Sequence, residues 1–278
     1  MVVRTVAELQ LLLSQYREAK QCIALVPTMG NLHAGHIELV KIARLNADKT
    51  VASIFVNPRQ FNQQSDFDAY SRTEYDDVEA LNASSIDAIF IPSTSEIYPP
   101  KATDEIKAGY LAKGLCGDFR EGHFDGVATV LTRLFTIIKP DIAVFGQKDY
   151  QQLCIVRQLV QSLGIDTTII DVPTVRTPEG LALSSRNNRL SPSQMQQAPL
   201  LYRTLCNAKS AIRNGADLDT TVTNALAELT SAGFRPEYMS VRKPNTLEYP
   251  VNAQDLPLII LTAVWLGDTR LIDNIFVE

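Results

Sequence analysis

Two of the chain's three histidines, His33 and His36, lie in the segment Pro-Thr-Met-Gly-Asn-Leu-His-Ala-Gly-His, residues 27–36. The segment follows the apolar run 22–26, a pattern that predicts a turn between a first strand and a first helix. Imidazoles at this spacing can face one spot, and Gly35 between them presents no Cβ to an approaching phosphate. A helix N-terminus also offers free N–H groups and a field that favours anions. The segment therefore predicts a nucleoside triphosphate site.

The same pattern argues against a zinc site. The third histidine, His123, is distant in sequence, and no cysteine is adjacent to His33 or His36. Zinc sites built from His and Cys normally place their ligands in closely spaced pairs.

A second polar cluster, Gly-Gln-Lys-Asp-Tyr-Gln-Gln at 146–152, is predicted to leave a strand and open a helix. Lys148 at a helix start can neutralise phosphate, and the adjacent Asp149 can bind a ribose hydroxyl or orient the lysine. The alternative is a solvated helix cap with ordinary surface charges.

Two further segments carry polar groups suited to binding. Leu-Ala-Leu-Ser-Ser-Arg-Asn at 181–187 offers two hydroxyls and a guanidinium that could grip phosphates, although a plain polar loop has the same composition. Phe-Val-Asn-Pro-Arg-Gln-Phe at 55–61 places an Asn and a Gln between aromatic residues. This second pattern suits a small polar acid with an apolar body.

Asp76 and Asp77 begin a predicted helix and could hold Mg²⁺ through water, because Mg²⁺ keeps several of its own waters at phosphate sites. A charged helix start is the commoner explanation of such a pair. Mg²⁺ is therefore expected with the nucleotide, and its protein ligands are not assigned.

The composition limits the classes of protein to consider. With 278 residues and 45% hydrophobic content, the chain can bury one large core or two moderate ones. The net charge of −5, without a basic stripe, disfavours nucleic acid as a partner. The dispersed cysteines are typical of free thiols, and no stretch resembles a signal peptide or a membrane span. We expect a cytoplasmic protein with no membrane partner.

Apolar runs alternate with amphipathic stretches through the first two thirds of the chain. The predicted strands are 23–26, 50–56, 88–91, 142–145 and 167–172. The predicted helices between them are 36–47, 73–82, 126–138 and 150–163. This βαβ series predicts an α/β fold with a doubly wound, Rossmann-like parallel sheet, whose ligands lie at the carboxyl ends of the strands.

The composition changes after residue 172, where prolines and glycines become frequent. Predicted helices follow, and then short predicted strands at 238–241, 258–265 and 274–277. We place a domain boundary near 171–176. Residues 1–172 are expected to bind the nucleotide and the acid, and residues 173–278 to form a smaller α+β domain that acts as a lid.

Taken together and in order, the segments at 27–36, 55–61, 122–127, 145–152 and 183–187 closely resemble the pantothenate synthetase (pantoate–β-alanine ligase) family. The resemblance covers essentially the whole chain. More widely, the chain resembles the H-x-G-H nucleotidyltransferases and class I aminoacyl-tRNA synthetases, with 183–186 in place of their second signature loop.

The resemblance implies that pantoate attacks the α-phosphate of ATP to give pantoyl adenylate and pyrophosphate, and that β-alanine then displaces AMP. It also implies a homodimer. Catalysis would depend on positioning and charge neutralisation, with no protein nucleophile.

The resemblance also implies roles for individual residues. Met29 to His36 would cradle ATP, with His36 as the catalytic proton donor. Gly146 to Asp149 would hold the adenosine part, and the backbone of Val175 would contact adenine. The implied ATP-binding residues are Met29, Gly30, Asn31, Leu32, His33, Ala34, Gly35, His36, Gly146, Gln147, Lys148, Asp149, Val175, Leu183, Ser184, Ser185 and Arg186. Those implied to be catalytic are His36, His33, Lys148, Ser184, Ser185 and Arg186.

Gln60 and Gln152 are implied to bind pantoate, with Gln60 also near β-alanine. Three positions depart from the commoner family pattern: Leu183 stands where many relatives carry Met, and Asn31 and Arg59 replace commoner residues. The first is a volume-conserving change. Arg59 either adds charge near the acid or points to solvent.

Three alternatives share parts of this pattern. A nucleotidyltransferase would leave the nucleotide on its product, whereas a ligase releases AMP when an amine is supplied. An aminoacyl-tRNA synthetase is disfavoured by the acidic balance and by the short chain after residue 186. A nucleotide sensor would bind ATP without forming pyrophosphate.

Overall fold

A computed structural model describes residues 1–100 and 105–278. Within these residues, the N-terminal part contains a six-stranded parallel sheet in the order β1-β4-β3-β2-β5-β6. The strands are β1 (Val2–Val3), β2 (Ile23–Thr28), β3 (Lys49–Ile54), β4 (Ala88–Phe90), β5 (Ile142–Gly146) and β6 (Thr168–Val172). The predicted α/β fold is confirmed.

Helices cover both faces of this sheet, as the doubly wound prediction requires. They are α1 (Val6–Glu18), α2 (Ala34–Asn46), α3 (Gln64–Asp68), α4 (Glu74–Ala83), α5 (Thr94–Ile97), α6 (Cys116–Phe119), α7 (His123–Ile138) and α8 (Tyr150–Ser162). Side chains alternate between the faces along β2: Ala24 and Val26 join the apolar cluster under α2 and α4, while Ile23 and Leu25 join the cluster under α1, α7 and α8.

The C-terminal part contains an antiparallel sheet of β7 (Arg235–Arg242), β8 (Leu258–Leu266) and β9 (Thr269–Val277). Its helices are α9 (Pro192–Gln197), α10 (Leu200–Arg213) and α11 (Leu218–Ser231). Strand β6 ends at Val172, within the region 171–176 where the sequence predicts the domain boundary.

The two parts share apolar packing. Ile259 and Leu261 of β8 belong to the same buried cluster as Leu153 of α8, and the ring of Phe276 meets Tyr150 edge to face. This packing holds the C-terminal sheet against the helix that follows the Lys148 segment. The lid role of residues 173–278 remains a prediction.

Several element boundaries differ from the sequence prediction by one to five residues. Strand β3 ends at Ile54 instead of 56, and β9 begins at Thr269 instead of 274. Helix α7 begins at His123 instead of 126. Gly126, at which the predicted helix begins, lies inside the first turn of α7, where the chain needs a residue without a side chain.

That requirement comes from a close backbone approach. A Cβ on Gly126 would lie 2.7 Å from the backbone nitrogen of Gln60 and still closer to the carbonyl of Arg59. Glycine therefore lets α7 pack directly on the short 3-10 turn Pro58–Gln60, which carries a predicted acid-binding residue.

We expect Gly126→Ala to lower the free energy of unfolding by about 1–3 kcal/mol, because the new Cβ forces two backbone segments apart. Alanine favours a helix over glycine by about 1 kcal/mol, so propensity alone predicts the opposite sign. Denaturant unfolding checks the change, and equal or greater stability in the variant would rule out the close approach.

Candidate active site

The loops that follow β2, β3 and β5 meet at the carboxyl edge of the parallel sheet. Strand β2 lies between β3 and β5, so these loops are spatial neighbours. They form one cavity together with the segment after β6, at the kind of position where open α/β sheets bind ligands.

Most of the predicted site residues line this cavity. They are Met29, His33, Gly35, His36, Gln60, Gly146, Lys148, Asp149, Gln152, Val175, Leu183, Ser184, Ser185 and Arg186. Five others lie beside it: Gly30, Asn31, Leu32, Ala34 and Gln147 are outside the cavity lining.

The structure gives these five residues supporting positions. Gly30 and Asn31 have positive φ angles of 75° and 51°, a conformation that glycine and asparagine tolerate best. Asn31 therefore suits this turn. Ala34 is the first residue of α2, and Gln147 donates its side-chain amide to Asp171 at 2.6 Å.

Asp77 of α4 holds the loop after β2 in shape. Its carboxylate is buried and accepts hydrogen bonds from the backbone N–H groups of Asn31 at 2.9 Å and Leu32 at 2.7 Å, and from the hydroxyl of Thr73. This arrangement gives Asp77 a structural role in the loop, and its suggested contact with Mg²⁺ through water stays a prediction. Asp76 beside it is exposed.

The two histidines of the motif cap helix α2 reciprocally. Nδ1 of His33 accepts from the Gly35 N–H at 3.1 Å, and Nδ1 of His36 accepts from the His33 N–H at 3.3 Å. A Cβ on Gly35 would lie 2.9 Å from the His33 ring. Glycine is therefore required here to make room for an imidazole.

Because Nδ1 of each ring accepts a hydrogen bond, each neutral imidazole carries its proton on Nε2. Burial, with Lys148 adding to it, lowers the pKa of His33 to about 4. Burial and the neighbouring His33 lower the pKa of His36 to about 3. Near neutral pH the motif thus presents two neutral Nε2–H donors. A ligand that carries negative charge would raise the pKa of both imidazoles, because it favours their protonated form.

The 3-10 turn Pro58–Gln60 positions the Gln60 amide. Asn57 donates to Gln60 Oε1 at 3.0 Å and to the Gly126 carbonyl at 3.1 Å, while its own oxygen accepts from Tyr98 at 2.8 Å. Both Asn57 and Gln60 are buried. The guanidinium of Arg59 lies over the Tyr98 ring at 4.1 Å, so its charge stacks there and is not part of the cavity lining.

Lys148 and Asp149 follow β5 in a short 3-10 turn. Asn274 of β9 donates to the carbonyl of Lys148 at 3.0 Å, which ties this turn to the C-terminal sheet. The Lys148 ammonium lies 3.8 Å from the Asp149 carboxylate. Desolvation acts to raise the pKa of Asp149, but Lys148 and Arg186 outweigh it and the pKa is lowered, so the carboxylate stays ionised.

The segment after β6 turns back on itself and brings Leu183–Arg186 over the cavity. The Leu183 N–H donates to the Val175 carbonyl at 2.9 Å. Arg186 pairs with Asp66 of α3 at 3.2 Å, and the hydroxyls of Ser185 and Tyr70 are 3.5 Å apart. These contacts join the C-terminal part to the segment after β3.

Arg120 and His123 also line the cavity, although neither is predicted from the sequence to be a site residue. His123 lies in the segment 122–127 that carries the family resemblance, but the sequence assigns it no role in the site. Its place among just three histidines, next to a glycine and at the start of an apolar helix, was the available signal.

The described residues contain no group of three or more His, Cys, Asp or Glu side chains arranged to hold a metal ion. Over the same part of the chain, no helix is long and apolar enough to cross a membrane. The cavity instead gathers two neutral N–H donors, an ammonium, hydroxyls and the guanidinium groups of Arg120 and Arg186. Such a set can bind a polyphosphate and stabilise negative charge that develops on it.

Comparisons with known proteins show which family the chain resembles over its length. A model of the pantoate-beta-alanine ligase family matches residues 1–276. A pantothenate synthetase from Azotobacter vinelandii is 48% identical over 279 residues, covering 99% of this chain and 98% of that protein.

Two solved structures are also similar. Pantothenate synthetase from Thermus thermophilus is 38% identical, with a TM-score of 0.91 over 100% of this chain and 99% of that one. Pantoate-beta-alanine ligase from Francisella tularensis, described as a complex with beta-gamma ATP and beta-alanine, is 34% identical, with a TM-score of 0.83 over 99% of this chain and 97% of that one.

Adjacent aspartates on α4 provide a matched pair of variants. We expect Asp77→Asn to lower the free energy of unfolding by about 1–3 kcal/mol, because an amide cannot accept both loop N–H groups as the carboxylate does. The affinity of this variant for ATP should fall as well, because the loop that carries His33 loses its support. Asp76→Asn removes the same charge from an exposed site and should change neither stability nor affinity. Equal effects of the two changes on unfolding and ATP titration would contradict the structural role.

The buried histidines predict a pH dependence of stability. Burial, reinforced by Arg120, lowers the pKa of His123 to about 3, well below the unfolded value of about 6.5. Between these values the unfolded chain binds more protons, so stability falls as the pH falls. We expect His123→Asn, which keeps a donor near the Nδ1 position, to flatten the dependence below pH 6 by up to about 1.4 kcal/mol per pH unit. Parallel stability curves for parent and variant would show that His123 titrates normally.

Proposed function

The chain belongs to the pantoate–β-alanine ligase family, and on that premise we propose that the cavity at the carboxyl edge of the parallel sheet is its active site. The enzyme condenses pantoate with β-alanine, using ATP and releasing AMP and pyrophosphate through pantoyl adenylate. One observation carries the assignment of the site: the His33 and His36 donors, Lys148 and Arg186 line the same cavity as the amides of Gln60 and Gln152. Phosphate-binding and acid-binding groups thus meet where an acyl adenylate would form.

In the first step, a carboxylate oxygen of pantoate attacks the α-phosphorus of ATP. The new P–O bond forms as the bond to pyrophosphate breaks, and negative charge builds on the phosphoryl oxygens and the leaving group. The Nε2–H groups of His33 and His36, with Lys148 and Arg186, would donate hydrogen bonds to these negatively charged oxygens. Because these groups are held before the reaction begins, stabilisation requires little reorganisation.

In the second step, the free amine of β-alanine attacks the adenylate carbonyl. The C–N bond forms, the bond between the carbonyl carbon and the AMP oxygen breaks, and the amine nitrogen gives one proton to the released AMP phosphate or to water. His36 Nε2 would hydrogen-bond the departing phosphate oxygen, which is the proposed form of its proton-donor role. The neutral Nε2–H of His36 fits a donor that acts through a hydrogen bond.

Pantoate would bind between polar and apolar walls. Its two hydroxyls and its dimethyl carbon need donors beside a nonpolar surface. Gln60 and Gln152 would supply the polar contacts, and the same cavity is lined by Val127, Val130 and Leu131 of α7.

The nucleotide would lie across the ends of β5 and β6. Asp149 would accept from a ribose hydroxyl, and adenine would rest against the backbone of Val175. Leu183, Ser184 and Ser185 would close over the phosphates. Gly30, Asn31, Leu32, Ala34 and Gln147 would act mainly by shaping these loops.

Mg²⁺ is proposed to arrive with the ATP phosphates. No protein ligand is assigned to the ion, which keeps most of its own waters at phosphate sites. Its chemistry would be neutralisation of phosphate charge.

We also propose that the protein is cytoplasmic and that it forms a homodimer. The homodimer is supported by the family resemblance alone. Cys22, Cys116, Cys154 and Cys206 are free, which suits a reducing compartment. Analytical ultracentrifugation would test the dimer, and fractionation of the source cells would test the compartment.

Exchange of labelled pyrophosphate into ATP tests the proposed site and its first step. With pantoate and Mg²⁺ but no amine, exchange is expected, because adenylate formation is reversible. Lys148→Met should abolish it without unfolding the protein. Undiminished exchange in that variant would place the chemistry elsewhere, and ATP binding without exchange under any acid would favour a sensor.

We expect His36→Ala and His36→Asn to lower the adenylation rate roughly 10²-fold each, by loss of one donor to developing charge. Asparagine can still accept from the His33 N–H, so only the alanine variant should also lose about 1 kcal/mol of helix-capping stability. Rapid-quench measurement of pyrophosphate gives the rate. A rate within threefold of the parent in the Asn variant would exclude His36 as a donor.

A further inference from the structure

Arg120 has no assigned role, yet its side chain is half-buried and lines the active-site cavity. It ends the short helix α6, lines the active-site cavity, and also lines a neighbouring cavity between α3 and β9. A side chain at the junction of two cavities can contact a substrate that enters beside a bound nucleotide.

A chain of hydrogen bonds fixes the position of Arg120. Its Nη1 lies 2.9 Å from Nε2 of His123, and Nδ1 of His123 lies 2.8 Å from the backbone carbonyl of Gln60. A carbonyl only accepts, so Nδ1 carries the imidazole proton and Nε2 accepts from the guanidinium. His123 therefore links the Arg120 guanidinium to the backbone of Gln60, a proposed acid-binding residue.

Three other arginines, unlike Arg120, each form a salt bridge with a carboxylate among the described residues. Arg186 pairs with Asp66, Arg270 with Glu237, and Arg176 with Asp273. Among residues 1–100 and 105–278, no carboxylate forms a salt bridge with the Arg120 guanidinium. Burial, together with Arg186 and Arg270, lowers the pKa of Arg120 to about 10. A cation in this setting favours an anionic ligand.

The amine substrate brings such an anion. β-Alanine reacts through its nitrogen, and its carboxylate takes no part in bond making, so that carboxylate needs a partner that holds the amine towards the adenylate. We propose that Arg120, positioned by His123, binds the carboxylate of β-alanine and selects this amine over amines without a carboxylate. The inference rests on the proposed function of the cavity.

The alternative is that Arg120 binds ATP phosphate. The phosphate-binding groups His33, His36, Lys148 and Arg186 are already assigned to loops after β2, β5 and β6. Arg120 instead comes from the segment before α7 and is tied to Gln60, at the acid end of the cavity. The geometry therefore favours the carboxylate of the second substrate.

The test separates the two half-reactions. Pantoate-dependent pyrophosphate exchange requires no amine, and the full reaction is then measured with β-alanine and with n-propylamine, which replaces the carboxylate by a methyl group. Arg120→Gln and Arg120→Lys are compared with the parent and with Arg203→Gln, which removes the same charge from an exposed position on α10.

We expect Arg120→Gln to leave exchange within twofold of the parent and to raise the KM for β-alanine roughly 10- to 100-fold, as for loss of a hydrogen bond to a charged group. Its kcat/KM for n-propylamine should not fall, so the preference for β-alanine collapses. Arg120→Lys should restore part of it, and Arg203→Gln should match the parent. The preference is the kcat/KM for β-alanine divided by the kcat/KM for n-propylamine. Both values are measured on one preparation, so an inactive misfolded fraction cancels from the ratio.

Two results would overturn the proposal. Equal loss of exchange and of overall turnover in Arg120→Gln would show that Arg120 serves ATP or pantoate. An unchanged preference for β-alanine would show that its carboxylate binds elsewhere. Absence of exchange in the parent enzyme is a separate outcome, which would reject the proposed function itself.

Discussion

The reciprocal capping of helix α2 by His33 and His36 is the interaction on which the site depends. Each imidazole uses Nδ1 to accept a backbone N–H, so each must present Nε2–H to the cavity. The loop before the cap holds its shape because Asp77 binds two of its N–H groups. One helix start thus fixes the tautomer, the direction and the spacing of two donors before any substrate binds.

The remaining charges extend this arrangement around the cavity. Lys148 and Arg186 are cationic and come from opposite sides, one after β5 and one from the segment that follows β6. Asp66 anchors Arg186, and Asn274 anchors the turn of Lys148. Neutral donors and held cations can stabilise charge that develops on a phosphate without supplying a nucleophile, which is what an adenylate-forming reaction requires.

The sequence predicted the parallel sheet because alternating strand and helix periods are local properties, and it predicted the loop segments because their polar groups follow apolar runs. It did not predict contacts between distant segments. Asp77 resembled a charged helix start, and only the fold shows it binding a loop 45 residues away. His123 and Arg120 join the site through packing of α7 on the turn of Gln60, which depends on the absence of a side chain at Gly126.

Nitrogen-15 NMR of the histidine rings tests the central claim most directly, because the chain has only three histidines. The account predicts that near pH 7 all three are neutral, with His33 and His36 in the Nε2–H form and His123 in the Nδ1–H form. Substitution of each histidine in turn assigns the signals. A protonated ring at His33 or His36, or the Nδ1–H form at either, would contradict the capping arrangement from which the site is built.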